Sequence, residues 1–155
     1  MKAIDEFASR FGARISLDEK LITEKQDRYF LLNENLEKLL TDAFFYAGVY
    51  LGKVKRNVFF PSFILLRMIA EGEANKVTVD ERTEWLFICG RDIFKQGIVK
   101  VTGSRNKGAH VLIMNKHGEC LGFGKLLRST DKEAGNQKVI VKNVSDVGDF
   151  LRREK

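Results

Sequence analysis

Cysteine is scarce in this 155-residue chain: Cys89 and Cys120 are too few for a disulfide scaffold. Histidine is as rare, with only His110 and His117. No C-x-x-C or H-x-x-x-H spacing joins these four side chains, so no metal centre is expected and a thiol packing as a small hydrophobe is the simpler reading. Long apolar runs are missing too. The stretch 64–70 already contains Arg67, well short of the roughly 18 to 20 apolar residues of a membrane span, so no membrane partner is expected. Asp5, Glu6 and Arg10 interrupt the start where an export signal would be apolar, which leads to the expectation of a cytoplasmic protein (nucleolar if eukaryotic) with reduced thiols.

Catalytic spellings are absent as well. Gly122-Phe123-Gly124 begins like a dinucleotide fingerprint, but Leu127 stands at the third glycine position. Gly103 to Gly108 has the outer spacing of a phosphate loop, yet Ala109-His110 follow where Lys and Ser or Thr would be needed. There is no G-x-S-x-G elbow. Asp80, Glu81 and Glu84 cluster, and are read as solvated carboxylates in a turn between two strands. No catalytic residue, no cofactor and no metal ligand is expected.

What is present is ordinary globular composition, 44% hydrophobic and 31% charged, with a one-sided charge. Residues 1–74 hold 11 Lys and Arg against 11 Asp and Glu; residues 75–155 hold 16 against 10 and carry the whole net charge of +6. A one-sided excess is what a phosphate-binding surface looks like, although six charges also suit an ordinary solvated face.

The hydrophobic spacing gives a coarse map. Ile4, Phe7, Ala8 and Phe11 recur at helical spacing before Gly12, which predicts a helix over 1–11. A strand at 28–32 leads through the cap Asn33 to a helix carrying Leu36, Leu39 and Leu40; strands follow at 47–55 and 58–60. Pro61, the only proline, ends the last of these, and Ser62 caps a helix over 63–70. The polar stretch 71–75 coincides with the charge switch and marks the expected boundary between domains 1–74 and 75–155. Beyond it, short strands are expected at 76–79, 85–88, 98–102, 110–114, 120–126 and 138–141, with a short helix at 91–95 and a closing amphipathic helix over 145–155. Six short strands in about eighty residues call for a curled, barrel-like sheet.

One stretch is more specific. Cys89-Gly90-Arg91-Asp92-Ile93-Phe94-Lys95-Gln96-Gly97-Ile98, followed later by Gly118-Glu119-Cys120-Leu121-Gly122-Phe123-Gly124, resembles the PUA domain, a small RNA-binding β fold. Gly90 and Gly97 would frame the short helix, and Gly122 with Gly124 would relieve crowding in a strand. The Tyr29-Phe30 strand, the strand from Gly48 to Gly52 with Lys53 after it, and the closing Asp146-Val147-Gly148-Asp149-Phe150-Leu151-Arg152-Arg153 extend the likeness. Together they resemble the ribosome-biogenesis factors of the nucleolar large-subunit (pre-rRNA processing) family in compact archaeal form. The resemblance implies an α+β protein of two small domains: an N-terminal α/β domain, mainly antiparallel sheet with helices, and a C-terminal PUA-type β-barrel. It implies a non-enzymatic factor that binds pre-rRNA through the PUA domain and other ribosome assembly factors through the rest, and a monomer. The basic tail Arg152, Arg153 and Lys155 is carried over as its leading RNA contacts, although cations also suit a helix C-terminus.

Arg91, Lys95, Arg105, Lys107, Lys125 and Arg128 are the further basic candidates. Arg91 and Lys95 would share a helix face; Arg105 and Lys107 would sit in a glycine-flanked loop. Trp85 and Phe87 are read as core, with Phe94 and Phe123 partly exposed. The first half holds eight of the twelve Phe, more than its own core needs, so part of that set, near 59–63, is expected to pack on the second domain or a protein partner. Two other readings stay open: an RNA-binding accessory subunit of an RNA-modification enzyme, and a protein-interaction module whose basic half is incidental.

Overall fold

The computed structural model describes residues 1–131 and 135–153, and of Phe150, Leu151 and Arg153 the main chain only. The chain opens with helix α1 (Lys2–Ser9), which buries Ile4, Phe7 and Ala8 along one face as their spacing predicts. An antiparallel meander follows: β1 (Ile22–Lys25), β2 (Arg28–Leu31), β3 (Val49–Lys55) and β4 (Val58–Pro61), hydrogen-bonded in that order. Both of its tight hairpins turn through two left-handed residues, Gln26-Asp27 and Arg56-Asn57, the geometry that matches strand twist. Helix α2 (Glu34–Leu39) starts where the Asn33 side chain accepts the Leu36 N–H at 2.8 Å. Helix α3 (Phe63–Glu71) starts where Ser62 Oγ accepts from Leu65 at 3.1 Å, directly after Pro61. Ser62 and Asn33 act as the caps their sequence positions predict.

The second sheet comprises β5 (Lys76–Val79), β6 (Ile93–Phe94), β7 (Ile98–Thr102), β8 (His110–Met114), β9 (Cys120–Leu126) and β10 (Val139–Asp146). Its order is β6-β10-β9-β8-β5-β7, antiparallel except for the β5–β8 pair, and it curls into a half-barrel. Helix α4 (Glu81–Ile88) lies between β5 and β6, and α5 (Val147–Arg153) follows β10. Among the described residues no helix is long and apolar enough to cross a membrane.

Three sequence expectations are corrected here. The expected strand at 85–88 is the second half of α4, whose N-terminus is capped by Asp80 Oδ1 accepting from Thr83 at 2.7 Å. Thr83 and Phe87, four apart, face inward, while Trp85 is 65% exposed; apolar alternation had imitated a strand. Asp80, Glu81 and Glu84 are accordingly a cap and first helical turn, where carboxylates complement the helix dipole. The expected helix at 91–95 is also absent. Gly90 closes α4 with its N–H on the Phe87 carbonyl, and Ile93–Phe94 is extended to pair with β10 before a single 3-10 turn, Lys95–Gly97. Arg91 and Lys95 therefore share no helix face. Third, Trp85, read as core, stands at the surface, whereas Phe123 is buried.

Gly122 and Gly124 do relieve crowding. Gly122 has a φ of +144°, and a Cβ there would overlap the Ser145 carbonyl oxygen; at Gly124 it would press on the Lys142 carbonyl of β10.

The two faces of the second sheet have different neighbours. Val111, Ile113, Leu121, Leu126, Ile140 and Val141 enclose a core with Phe87 and Ile93 inside the curl. Leu112, Met114 and Phe123, pointing the other way, join Ile4 and Phe7 of α1, Phe11 just beyond it, Leu51 of β3 and Leu65 of α3 in one cluster. Phe123 meets Phe7 and Phe11 edge-on at centroid distances of 5.6 and 5.5 Å. Part of the first half's phenylalanine excess thus packs on the second sheet, through α1, with Phe59 joining at 5.4 Å from Phe7. Asn75 ties the same junction: its N–H donates to the Phe11 carbonyl, its amide to the His110 carbonyl at 3.3 Å, and its Oδ1 accepts from Ser104 at 2.8 Å.

Candidate nucleic-acid interface

The cations singled out in the sequence fall into three places. Arg152 lies on α5, where its guanidinium donates to both oxygens of Asp146, at 3.0 and 2.9 Å, and to the Ile88 carbonyl at 2.9 Å. Asp146 is buried and also accepts from the Asp149 N–H and the Asn143 amide, which in turn donates to the Phe87 carbonyl. This network fastens α5 to the carbonyl end of α4, and Gly148 allows the approach, since a Cβ there would overlap the Ile88 oxygen. Arg152 is a clamp first; with its side chain 45% exposed, its remaining N–H groups are open to a ligand. Arg153 lies in α5 with its side chain outside the description, and Lys155 lies outside the described residues.

Lys95 and Arg105, ten residues apart and read separately in the sequence, line one hollow of about 110 Å³ with Ile98, Val101, Thr130 and Ile140. Arg105 donates to Asp131 at 3.4 Å, an exposed ion pair that contributes little and that a phosphate can displace. Lys107 is exposed on the same loop, and Arg128 is exposed just after β9. Arg91 is exposed at the end of α4, apart from Lys95 in chain conformation if not in charge.

Lys125 stands elsewhere. It is exposed on β9 directly opposite His110 of β8, on the side of the sheet that carries Leu112 and Phe123 toward the first half. Partial burial, then the charges of Arg10 and Lys125, hold the His110 imidazole below its ordinary pKa of 6.5, so it is neutral at pH 7. Arg10 itself lies over the Phe7 ring at 5.9 Å. No ion pair among the described residues involves Arg10, Lys53 or Lys125. Sequence reading missed Arg10 here, because it belongs to the charge-neutral half; only the fold brings it to β8.

Burial pushes the Cys120 thiol up to about 11, keeping it protonated, while Cys89 is exposed at the end of α4. Among the described residues no three His, Cys, Asp or Glu side chains converge as a metal site.

Residues 75–155 match the UPF0113 PUA domain family. A UPF0113 protein of Archaeoglobus fulgidus is 37% identical over 115 residues, 71% of this chain and 63% of that protein's length. The 60S ribosome subunit biogenesis protein NIP7 homolog of Danio rerio is 28% identical over 135 residues, 83% of this chain and 75% of that protein. Among solved structures, a conserved PUA domain protein from Thermoplasma acidophilum superposes with a TM-score of 0.62 at 22% identity, covering 97% of this chain and 90% of that one. A PUA domain from Aeropyrum pernix, solved as a tartrate complex, gives a TM-score of 0.63 at 15% identity over 97% and 83% of the two chains. These likenesses extend the shared fold across both sheets.

Proposed function

Since the chain belongs to the UPF0113 PUA domain family, we propose that it is a non-enzymatic RNA-binding ribosome assembly factor, acting in pre-rRNA processing and large-subunit biogenesis. The observation that carries this reading is the similarity to 60S ribosome subunit biogenesis proteins over 83% of the chain, both sheets included. Residues 75–155 hold the RNA, with Lys95, Arg105, Lys107, Lys125 and Arg128 neutralising phosphates and Arg91 and the tail of Arg152, Arg153 and Lys155 extending the contact. Residues 1–74 form the part that meets other assembly factors. Of the described aromatic side chains of residues 75–155, Phe87 and Phe123 are buried and only Trp85 and Phe94 are exposed, which supports recognition of backbone charge and shape over base sequence.

Ultraviolet crosslinking of the full chain in cells, followed by sequencing of the bound RNA, tests this. Ribosomal precursor fragments should dominate. A yield dominated by tRNA would overturn the assembly role in favour of an accessory subunit of a modification enzyme, and no yield above an uncrosslinked control would remove the RNA.

A further inference from the structure

A cleft of about 410 Å³ opens where the two halves meet, larger than the hollow beside Lys95. Five rings line it: Phe7 of α1, Tyr50 of β3, Phe59 and Phe60 of β4, and Phe123 of β9. Its polar members are Arg10, Lys53, His110, Ser145 and one carboxylate, Asp149. The aromatic floor is rigid, because Phe7, Phe59 and Phe123 belong to the shared core and hold one another at inclined angles. The rim is not filled: Phe60 and Val58 on one side and Val144 on the other leave apolar surface in water. Concave, largely apolar surface with a few convergent polar groups is the usual form of a ligand site.

We infer that this cleft takes one unpaired nucleotide of the bound RNA, its base against the aromatic floor and its phosphate between Arg10 and Lys53 at the rim. The inference rests on the RNA-binding reading and places part of the contact outside the PUA-type sheet. Charge complementarity favours a nucleotide over a purely apolar occupant, since Arg10 and Lys53 flank the rings and neither is engaged in an ion pair among the described residues. Aromatic rings beside cations are how single-stranded RNA is held without strict sequence readout. The neutral His110 imidazole offers one donor and one acceptor to a base edge. Position agrees as well: Lys125, one of the cations assigned to the RNA surface, is the cross-strand neighbour of His110, so a strand of RNA on the second sheet is led to the cleft.

The test uses the full chain and a twelve-nucleotide single-stranded RNA with 4-thiouridine at alternating positions. Photocrosslinks should map by mass spectrometry to Tyr50, Phe60 or Phe123. The double variant Arg10→Ala/Lys53→Ala, both exposed positions outside the core, should bind about tenfold more weakly, with a log-log salt slope shallower by about 0.7, as loss of one phosphate contact requires. Phe60→Ala should lower the crosslink yield while leaving the salt slope unchanged. Crosslinks confined to residues around Lys95 and Arg105, with the double variant binding as the parent does, would overturn the inference and leave the RNA-binding role standing. No binding by the parent chain would defeat both. A parent chain that sediments as a dimer and is dispersed by Phe60→Ala would assign the cleft to a second copy and overturn the inference.

Discussion

His110 is the residue where fold, charge and function meet. Burial and two neighbouring cations, Arg10 and Lys125, depress its pKa below 6.5, so the unfolded chain binds a proton more readily than the folded one. That difference contributes stability that is fully present above about pH 6.5 and is lost as the pH falls through the lower folded value. Phe11, edge-on at 5.9 Å, and the Asn75 amide on its carbonyl do not titrate, and the Asp149 carboxylate lines the same cleft. His110→Gln should therefore flatten the melting temperature between pH 7 and pH 5 relative to the parent, measured by thermal denaturation at fixed salt. An unchanged pH dependence in the variant would show that His110 is not the group responsible. None of this was legible in the sequence, which showed His110 only as one of two isolated histidines; its charged neighbours, Arg10 at the C-cap of α1 and Lys125 of β9, stand 100 residues behind it and 15 ahead.

At the scale of elements, the caps were the legible part. Ser62 after Pro61, Asn33 before a leucine repeat, and the 3.6-residue spacing in α1 are local signals, and local geometry obeys them. The errors were equally local in origin. Trp85-Leu86-Phe87 offered a strand-like alternation that the Asp80 cap overrode, and Gly90, read as opening a helix, closes the preceding one. Strand β1 passed unread because Ile22-Thr23-Glu24-Lys25 is short and polar; its partner β2 fixes it. The α4–α5 junction depends on Asp146, whose buried carboxylate gathers Arg152, Asn143 and the Asp149 N–H. Arg152→Ala leaves the buried Asp146 carboxylate without its cation and should destabilise the protein by about 3 kcal/mol in urea denaturation, as breaking a buried ion pair does. Asp146→Asn should cost less than Arg152→Ala, because the guanidinium it leaves behind is half exposed and stays hydrated. Equal, negligible losses would mean that α5 docks without this network.

For the molecule as a whole, the charge profile read along the chain was right in sum and incomplete in space. It placed the whole excess in residues 75–155, yet the fold sets Arg10 of the neutral half beside Lys125 and carries Lys53 to the same cleft. The half-barrel was foreseeable from short apolar runs, five of the six being strands and 85–88 helix, and the shared aromatic core from an excess of Phe expected, near 59–63, to pack on the second domain or a protein partner. That core also bears on how function should be measured. Residues 75–155 alone would expose Leu112, Met114 and Phe123, so the intact chain is the proper object. The most direct measurement is the affinity of that chain for single-stranded RNA across a salt series, against a Lys95→Ala/Arg105→Ala/Lys125→Ala variant checked for unchanged circular dichroism. Binding by the parent with a log-log slope of about −0.7 per phosphate contacted, reduced in magnitude by about 2 in the variant, is the expected result. A folded variant that keeps the full slope, or a parent that binds no RNA at low salt, would contradict the assignment of this surface to RNA.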